Sequence, residues 1–428
     1  MFLLLLLFVA LLTYLNIGIA KGDITAPAPI ACISFFVGLL FSYIGADSWD
    51  FQLSFTTFLI ICIGCITITL ANLFSRKKVK VPSSWIAYSN ITYSDKLVMW
   101  ATICSLIFTA LYGLNAYRVG MRAGGSGLNA FAYMKNIYMQ DTASAGMNPL
   151  IRQFFKPVIS IAYVNMFLFI ETIASKSKNR RRKMCGIISI LSAVAIVIFS
   201  GSRTEILQLL SGGILMFSIL WRENRGWRVK DNKKSFGVII RKFWPTILAF
   251  LVLAFISRNI VKTSNNELSA TATFFQYIIY YIGSSVAVLD KKIRMSFNTG
   301  DILFGNEISK SLMHAQVYLG RLNYGGNTAT IFISIFNGGL LYMIGRLLLV
   351  FFWGTIAYRS LLMKSESSYK RNRNLIIMSM MYYVYTMAYY SDCVGLLTKT
   401  SNLLTMLIVL LYHRIISQRN TRRETICE

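Results

Sequence analysis

Histidine is nearly missing from this chain and carboxylates are scarce. Two histidines, His314 and His413, are too few for a histidine-type metal centre. The 17 Asp and Glu residues stand against 44 Lys and Arg. Asp141, Glu267, Asp290, Asp301, Glu307 and Asp392, which the threading below puts on the outer side, form no close pair, so no general base is legible among them. The seven cysteines are scattered. Only Cys62 and Cys65 share a short spacing, inside an apolar run without histidine, where packing explains them better than a metal. No cofactor is implied. Internal repeats are absent too, which argues against a transporter built from repeated halves. Charged residues make up 14% of the chain, hydrophobic ones 55% and aromatic ones 14%, which excludes an ordinary soluble globular protein.

What is present is a succession of apolar runs. Crossing ~30 Å of hydrocarbon takes about 20 residues, and about eleven runs qualify. They lie near 2–20, 27–46, 53–74, 97–115, 155–175, 184–201, 203–220, 243–258, 328–356, 375–391 and 401–416. The first lacks a basic leader and enters Lys21 rather than a small-residue cleavage site, so it is read as a span. The expected fold is an all-α integral membrane protein, one polytopic domain over 1–428.

Lys and Arg set the orientation. One threading puts 29 of the 44 basic residues on alternate connections, around Lys21, 76–96, 176–183, 222–242, 359–373 and 414–423. By the positive-inside rule that side is cytoplasmic, and the C-terminus with it. The net charge of +27 therefore reports topology and contact with anionic membrane lipids, not nucleic acid. The same threading leaves two long external loops, 116–154 and 258–327, and long structured loops are usually functional. Within the second, 274–288 is apolar enough to lie in the membrane interface or re-enter it.

The most informative stretch is Ile198-Phe199-Ser200-Gly201-Ser202-Arg203-Thr204-Glu205-Ile206. Gly201 can end one helix in the left-handed conformation, and Ser202 to Glu205 fits a capping box that opens the next. Arg203 then sits at a positive helix start, where a cation is disfavoured unless an anion lies nearby. Other cations on the outer side also run against the positive-inside rule: Arg118, Arg122, Arg152, Arg258, Lys262, Arg294 and Arg321. Guanidiniums there suit a phosphate or pyrophosphate headgroup whose tail stays in the bilayer. Tyr280 and Tyr281 suit sugar stacking or an interfacial belt. Glu205 reads as a cap rather than a base, and Arg346, inside a long apolar run, is expected to snorkel to the cytoplasmic interface.

The chain resembles the Wzy O-antigen or capsular repeat-unit polymerases. The resemblance rests on the knot at 199–204, the tyrosine-rich Tyr277-Ile-Ile-Tyr280-Tyr281-Ile-Gly283-Ser284, and Gly326-Asn327-Thr328 followed by Asn337-Gly338-Gly339-Leu340. It implies a GT-C-like polytopic glycosyltransferase at the periplasmic face of a bacterial inner membrane. Such an enzyme joins undecaprenyl-pyrophosphate-linked glycans without a metal and works beside a chain-length regulator. On that reading Arg203 and Arg258 stabilise the departing pyrophosphate. Arg118, Arg122, Tyr280, Tyr281, Arg294, Arg321 and Asn327 contact substrate. The related ligases usually carry a histidine just ahead of the asparagine that Asn327 matches; Gly325 and Gly326 stand there, which favours polymerase over ligase. The rival from another class is a lipid-linked oligosaccharide flippase.

Overall fold

In a computed structural model the described residues are 1–78, 91–139, 146–201, 204–232, 237–238, 241, 274–295, 304, 307–320, 324–326, 329–363 and 367–418. They are mostly helical, as a chain in lipid must be to satisfy its own backbone groups. The helices are α1 (Phe2–Ile19), α2 (Pro27–Gly45), α3 (Phe55–Lys78), α4 (Asp95–Arg122), α5 (Ala130–Met139), α6 (Phe155–Ala174), α7 (Arg180–Phe199) and α8 (Thr204–Glu223). They continue as α9 (Phe274–Met295), α10 (Glu307–His314), α11 (Ile335–Leu361), α12 (Ser368–Met381) and α13 (Thr400–Ile416). Local signals explain several starts and stops. Pro27 occupies the first turn of α2, and Asn179 caps α7 by accepting from the Arg182 amide at 3.1 Å. Gly201 ends α7 at φ +68°, as its position in the knot predicts.

Among the described residues, eight helices are long and apolar enough to cross a membrane: Phe2–Ile19, Pro27–Gly45, Phe55–Arg76, Asp95–Arg122, Pro149–Ala174, Arg180–Phe199, Thr204–Glu223 and Ile331–Leu361. They match eight of the expected runs. The run at 243–258 lies outside the described residues, and that at 401–416 is the shorter helix Thr400–Ile416. The run at 375–391 is not one helix. It divides into α12, a turn of helix at Tyr383–Thr386 and a non-helical stretch in which the Ala388 carbonyl accepts from the Ile331 amide at 2.8 Å instead of continuing a helical ladder. The segment 258–327, expected as an external loop, contains α9, packed against α2.

Two packed groups make up the bundle. One holds α1, α2, α3, α9 and α11; the other holds α4, α5, α6, α7 and α13, with α8 and α12 between them. A buried asparagine knits each group, the usual polar glue where lipid offers no hydrophobic drive. Asn16 donates to Thr69 at 2.8 Å and accepts from Asn72 at 2.9 Å, tying α1 to α3. Asn165 donates to Ser189 at 2.8 Å and Thr102 at 3.1 Å and accepts from Tyr412 at 2.8 Å, joining α4, α6, α7 and α13.

The basic connections gather at one end of the bundle, and there several of their charges do more than the expected topology signal and lipid contact. Arg222 is fully buried: Nη1 meets Asp23 Oδ2 at 2.9 Å, Nη2 donates to Asp23 Oδ1 at 3.0 Å, and Nε donates to the Ser218 carbonyl at 3.0 Å. Tyr358 donates to Asp23 at 2.6 Å. Arg371 pairs with Glu223, Asn372 donates to the Tyr93 hydroxyl at 3.0 Å, and Arg182 meets Asp95 at 2.6 Å. This network runs from the α1–α2 turn to the start of α4, so it bridges both groups. A two-residue antiparallel sheet closes the same end, pairing Thr92 with Gln418 and Tyr93 with Ser417.

Candidate functional site at the end opposite the basic network

At the other end α9 carries two of the predicted residues, Tyr280 and Tyr281. Tyr280 meets Trp49 edge-on, centroids 6.2 Å apart, and Tyr281 at 6.0 Å. Both tyrosines are half-buried. Gly326 pairs with Val317 at the open end of the hairpin of Val317–Leu319 with Tyr324–Gly326, and a Cβ there would fall 2.9 Å from the Tyr280 hydroxyl. Gly283, one turn further along α9, presents its carbonyl to Tyr389 at 2.8 Å and to Ser42.

The C-terminal half of α9 walls a cleft of about 490 Å³ together with residues 49–52 and the hairpin. Arg294, expected as a loop charge, is a helical residue with assigned partners. Its Nε donates to Asp290 at 2.7 Å and its Nη2 to the Gln52 carbonyl, while half of the side chain remains exposed. Asp290 in turn accepts from the Ser54 amide at 2.9 Å and hydroxyl at 2.6 Å. Lys291 donates to the Tyr318 carbonyl at 2.5 Å. The cleft therefore offers alternating donors and acceptors beside aromatic rings, the surface that sugar hydroxyls and ring faces need. Lys292 points away from it, buried, with Nζ donating to the Met313 carbonyl at 2.9 Å. Burial pulls this amine down to about 8.

Beside the cleft the chain re-enters the bundle. Phe332, in the 3₁₀ turn Ile331–Ser334, stacks on Phe35 at 4.7 Å, and its ring lies against Gly64. Phe35 and Gly64 are near the midpoints of α2 and α3. From that depth the helix begins, then breaks at Gly338-Gly339, where Gly339 adopts φ +78° and ψ −171°. That conformation is essentially reserved for glycine. A continuous apolar run thus contains two pieces: a short segment at mid-depth and, after the break, the long limb to Leu361. Replacing Gly339 with alanine is expected to cost about 1–3 kcal/mol in stability, read from unfolding in detergent. Gly345→Ala, with open space at its Cβ, is expected to be neutral or slightly stabilising.

The break also corrects the reading of Arg346. Rather than snorkelling to the basic end, its guanidinium holds Asp392 with both nitrogens, Nη2 to Oδ1 at 3.1 Å and Nη1 to Oδ2. Because the long limb starts only at the glycine pair, Arg346 lies near its opposite end, within reach of the stretch after Tyr383–Thr386. Asp392 also accepts from the Val394 amide at 3.1 Å. The carboxylates of Asp290 and Asp392 are therefore both engaged by guanidiniums.

The remaining predicted residues separate. Arg118 and Arg122 are exposed on the last turns of α4, which packs with α5 and α7 rather than with α9. The knot belongs to that neighbourhood: Phe199 lies against Gly113 and stacks on Phe131 at 5.0 Å. Arg203, Arg258, Arg321 and Asn327 lie outside the described residues. Sequence reasoning missed Trp49, Gln52 and the Arg346–Asp392 pair. Only the Asp290–Arg294 spacing, one helical turn, carried a readable signal. Compared with known protein families, curated proteins and solved structures, the chain matches none.

Proposed function

We propose that this chain is a membrane glycosyltransferase that polymerises undecaprenyl-pyrophosphate-linked oligosaccharide repeat units into O-antigen or capsular polysaccharide. The basic end faces the cytoplasm of a bacterial inner membrane, and the cleft faces the periplasm. What supports the reading is one juxtaposition: Tyr280 of the tyrosine-rich segment lies over Gly326 and against Trp49, which lines the cleft, so two separate stretches that resemble the polymerases meet beside it, at the end away from the basic network. In the reaction a sugar hydroxyl of one unit attacks the anomeric carbon of the lipid-linked partner. The bond from that carbon to the pyrophosphate oxygen breaks, and undecaprenyl pyrophosphate leaves. Arg203 and Arg258 meet the charge that develops on the leaving group. Tyr280, Tyr281 and Arg294 hold sugar beside and in the cleft, and Arg321 and Asn327 contact substrate as well; Arg118 and Arg122 steer the headgroup. A chain-length regulator is the proposed protein partner.

The test is elongation by the purified full chain in vesicles supplied with lipid-linked repeat units. A ladder of lengthening glycan is the expected product. Absence of any ladder, with the repeat units instead carried across the bilayer, would replace the polymerase with the flippase. Transfer only to lipid A core would identify a ligase.

A further inference from the structure

The basic end holds a second concave feature that the reaction above does not use. Between the first turns of α12 and the last turns of α13 lies a cleft of about 590 Å³. Leu407, Leu410, Leu411 and Arg414 share one face of α13 at helical spacing, so an apolar stripe runs along the helix and ends in a guanidinium. Leu407 and Leu411 are each 51% exposed. Across the cleft α12 contributes Tyr369 and Arg373, one turn apart. The Tyr369 ring is fixed against His413, centroids 5.0 Å apart. Arg373 bonds only weakly to its neighbour, with Nε and Nη2 each 3.3 Å from Asn374 Oδ1. Among the described residues, no carboxylate lines the cleft.

We propose that this cleft is a binding site for an anionic phospholipid. The phosphodiester sits between Arg373 and Arg414, within reach of the Tyr369 hydroxyl, and one acyl chain follows the leucine stripe. Two observations act together. Paired guanidiniums at the end of one cleft, with no competing acid among the described residues, select an anion, and planar donors suit a phosphate. The exposed leucines continue from those guanidiniums along the helix axis, which a soluble anion would leave uncovered. General attraction of a basic surface to anionic lipid explains neither the stripe nor its register with Arg414.

The experiment is thermal unfolding of the full chain in a neutral detergent, titrated with phosphatidylglycerol, phosphatidylcholine or glycerol 3-phosphate. Phosphatidylglycerol is expected to raise the midpoint by on the order of a few degrees, saturably, and the other two to leave it in place. Arg373→Gln with Arg414→Gln is expected to abolish the shift while keeping a cooperative transition in detergent alone. Arg180→Gln with Arg181→Gln, which removes two exposed arginines at the same end, is expected to keep it. An equal response to phosphatidylcholine, or a full shift in the Arg373/Arg414 variant, overturns the site. Loss of the shift in the Arg180/Arg181 variant as well assigns it to general surface charge. A response to glycerol 3-phosphate alone means a soluble phosphate site, and the lipid assignment fails. Should the Arg373/Arg414 variant lose its transition, Leu411→Asp is read in its place: it closes the stripe to an acyl chain, and an undiminished shift overturns the proposal.

Discussion

Replacing Arg222 with alanine is expected to cost about 3–5 kcal/mol of folding stability, the range for leaving a buried ion without its partner. The guanidinium has no exposed surface and Asp23 retains only 6% of its own, so neither charge can turn to water when the other is removed. The Tyr358 hydroxyl and the Thr25 hydroxyl and amide still donate to Asp23, but neutral donors do not neutralise a carboxylate. Removing both charges, with Asp23→Leu and Arg222→Met, is expected to restore much of the loss, because the cost lies in the orphaned charge rather than in the absence of a pair. Acid supplies an independent check. Burial pushes the Asp23 carboxyl up, but the Arg222 charge and the bonds from Arg222, Tyr358 and Thr25 outweigh it and hold the group below the ordinary carboxylate range. Its stabilising contribution is therefore present above the unfolded value of ~3.9 and lost as pH falls through the lower folded one. In Arg222→Ala the raising influence of burial is opposed by the two hydroxyl bonds and the Thr25 amide alone, without the Arg222 charge, and the carboxyl takes up its proton at higher pH. The stability gap between wild type and variant is thus expected to narrow as pH drops from 7 toward ~4. A constant gap would show that packing, not charge, is responsible.

Arg203→Ala is expected to slow glycan elongation by on the order of 100-fold or more, the scale of one lost donor to a developing oxyanion. Gly201 ends α7 and the described part of α8 begins at Thr204, so position 203 adjoins a helix start, where the dipole is positive. A cation there is costly on its own; opposite a pyrophosphate it becomes complementary. Elongation and membrane abundance are read together, because a variant that is simply not inserted says nothing about leaving-group stabilisation. Arg203→Lys is expected to fall between wild type and alanine, keeping the charge and losing the two-pronged geometry. Full-length chains made at the normal rate by Arg203→Ala would end its proposed role.

Much of the bundle is legible from sequence because span length and turn residues are local properties. A run such as 27–46 is long enough to cross lipid whatever surrounds it, and Gly201 stops a helix by its own backbone freedom. The rest depends on partners far along the chain. Arg222, Arg182 and Arg371 look the same in sequence whether they only mark topology or pair with Asp23, Asp95 and Glu223, as they do. The run 328–356 is equally apolar as one straight span or as a short segment at mid-depth followed by a limb, and only the glycine pair at 338–339 hints at the difference. Arg346 was misread for that reason. At the cleft, Tyr280 and Arg294 could be nominated from their types. Trp49 and Gln52 could not, since nothing local to them indicates that α9 packs nearby.

The Asp23–Arg222 clasp has a consequence for how the molecule is made. Its two halves are 199 residues apart, and Tyr358, the third member, is 335 residues from Asp23. At ordinary synthesis rates Asp23 is complete roughly 10 to 40 s before Arg222 exists. During that interval the α1–α2 turn holds an acid with no counterion and must stay in contact with water or with the insertion machinery. The first two helices can be threaded early, yet they cannot be locked. Closure of the bundle waits for α8 and is completed by α11, so the order of synthesis reserves final docking of the amino-terminal hairpin until the helices that frame the cleft are in place.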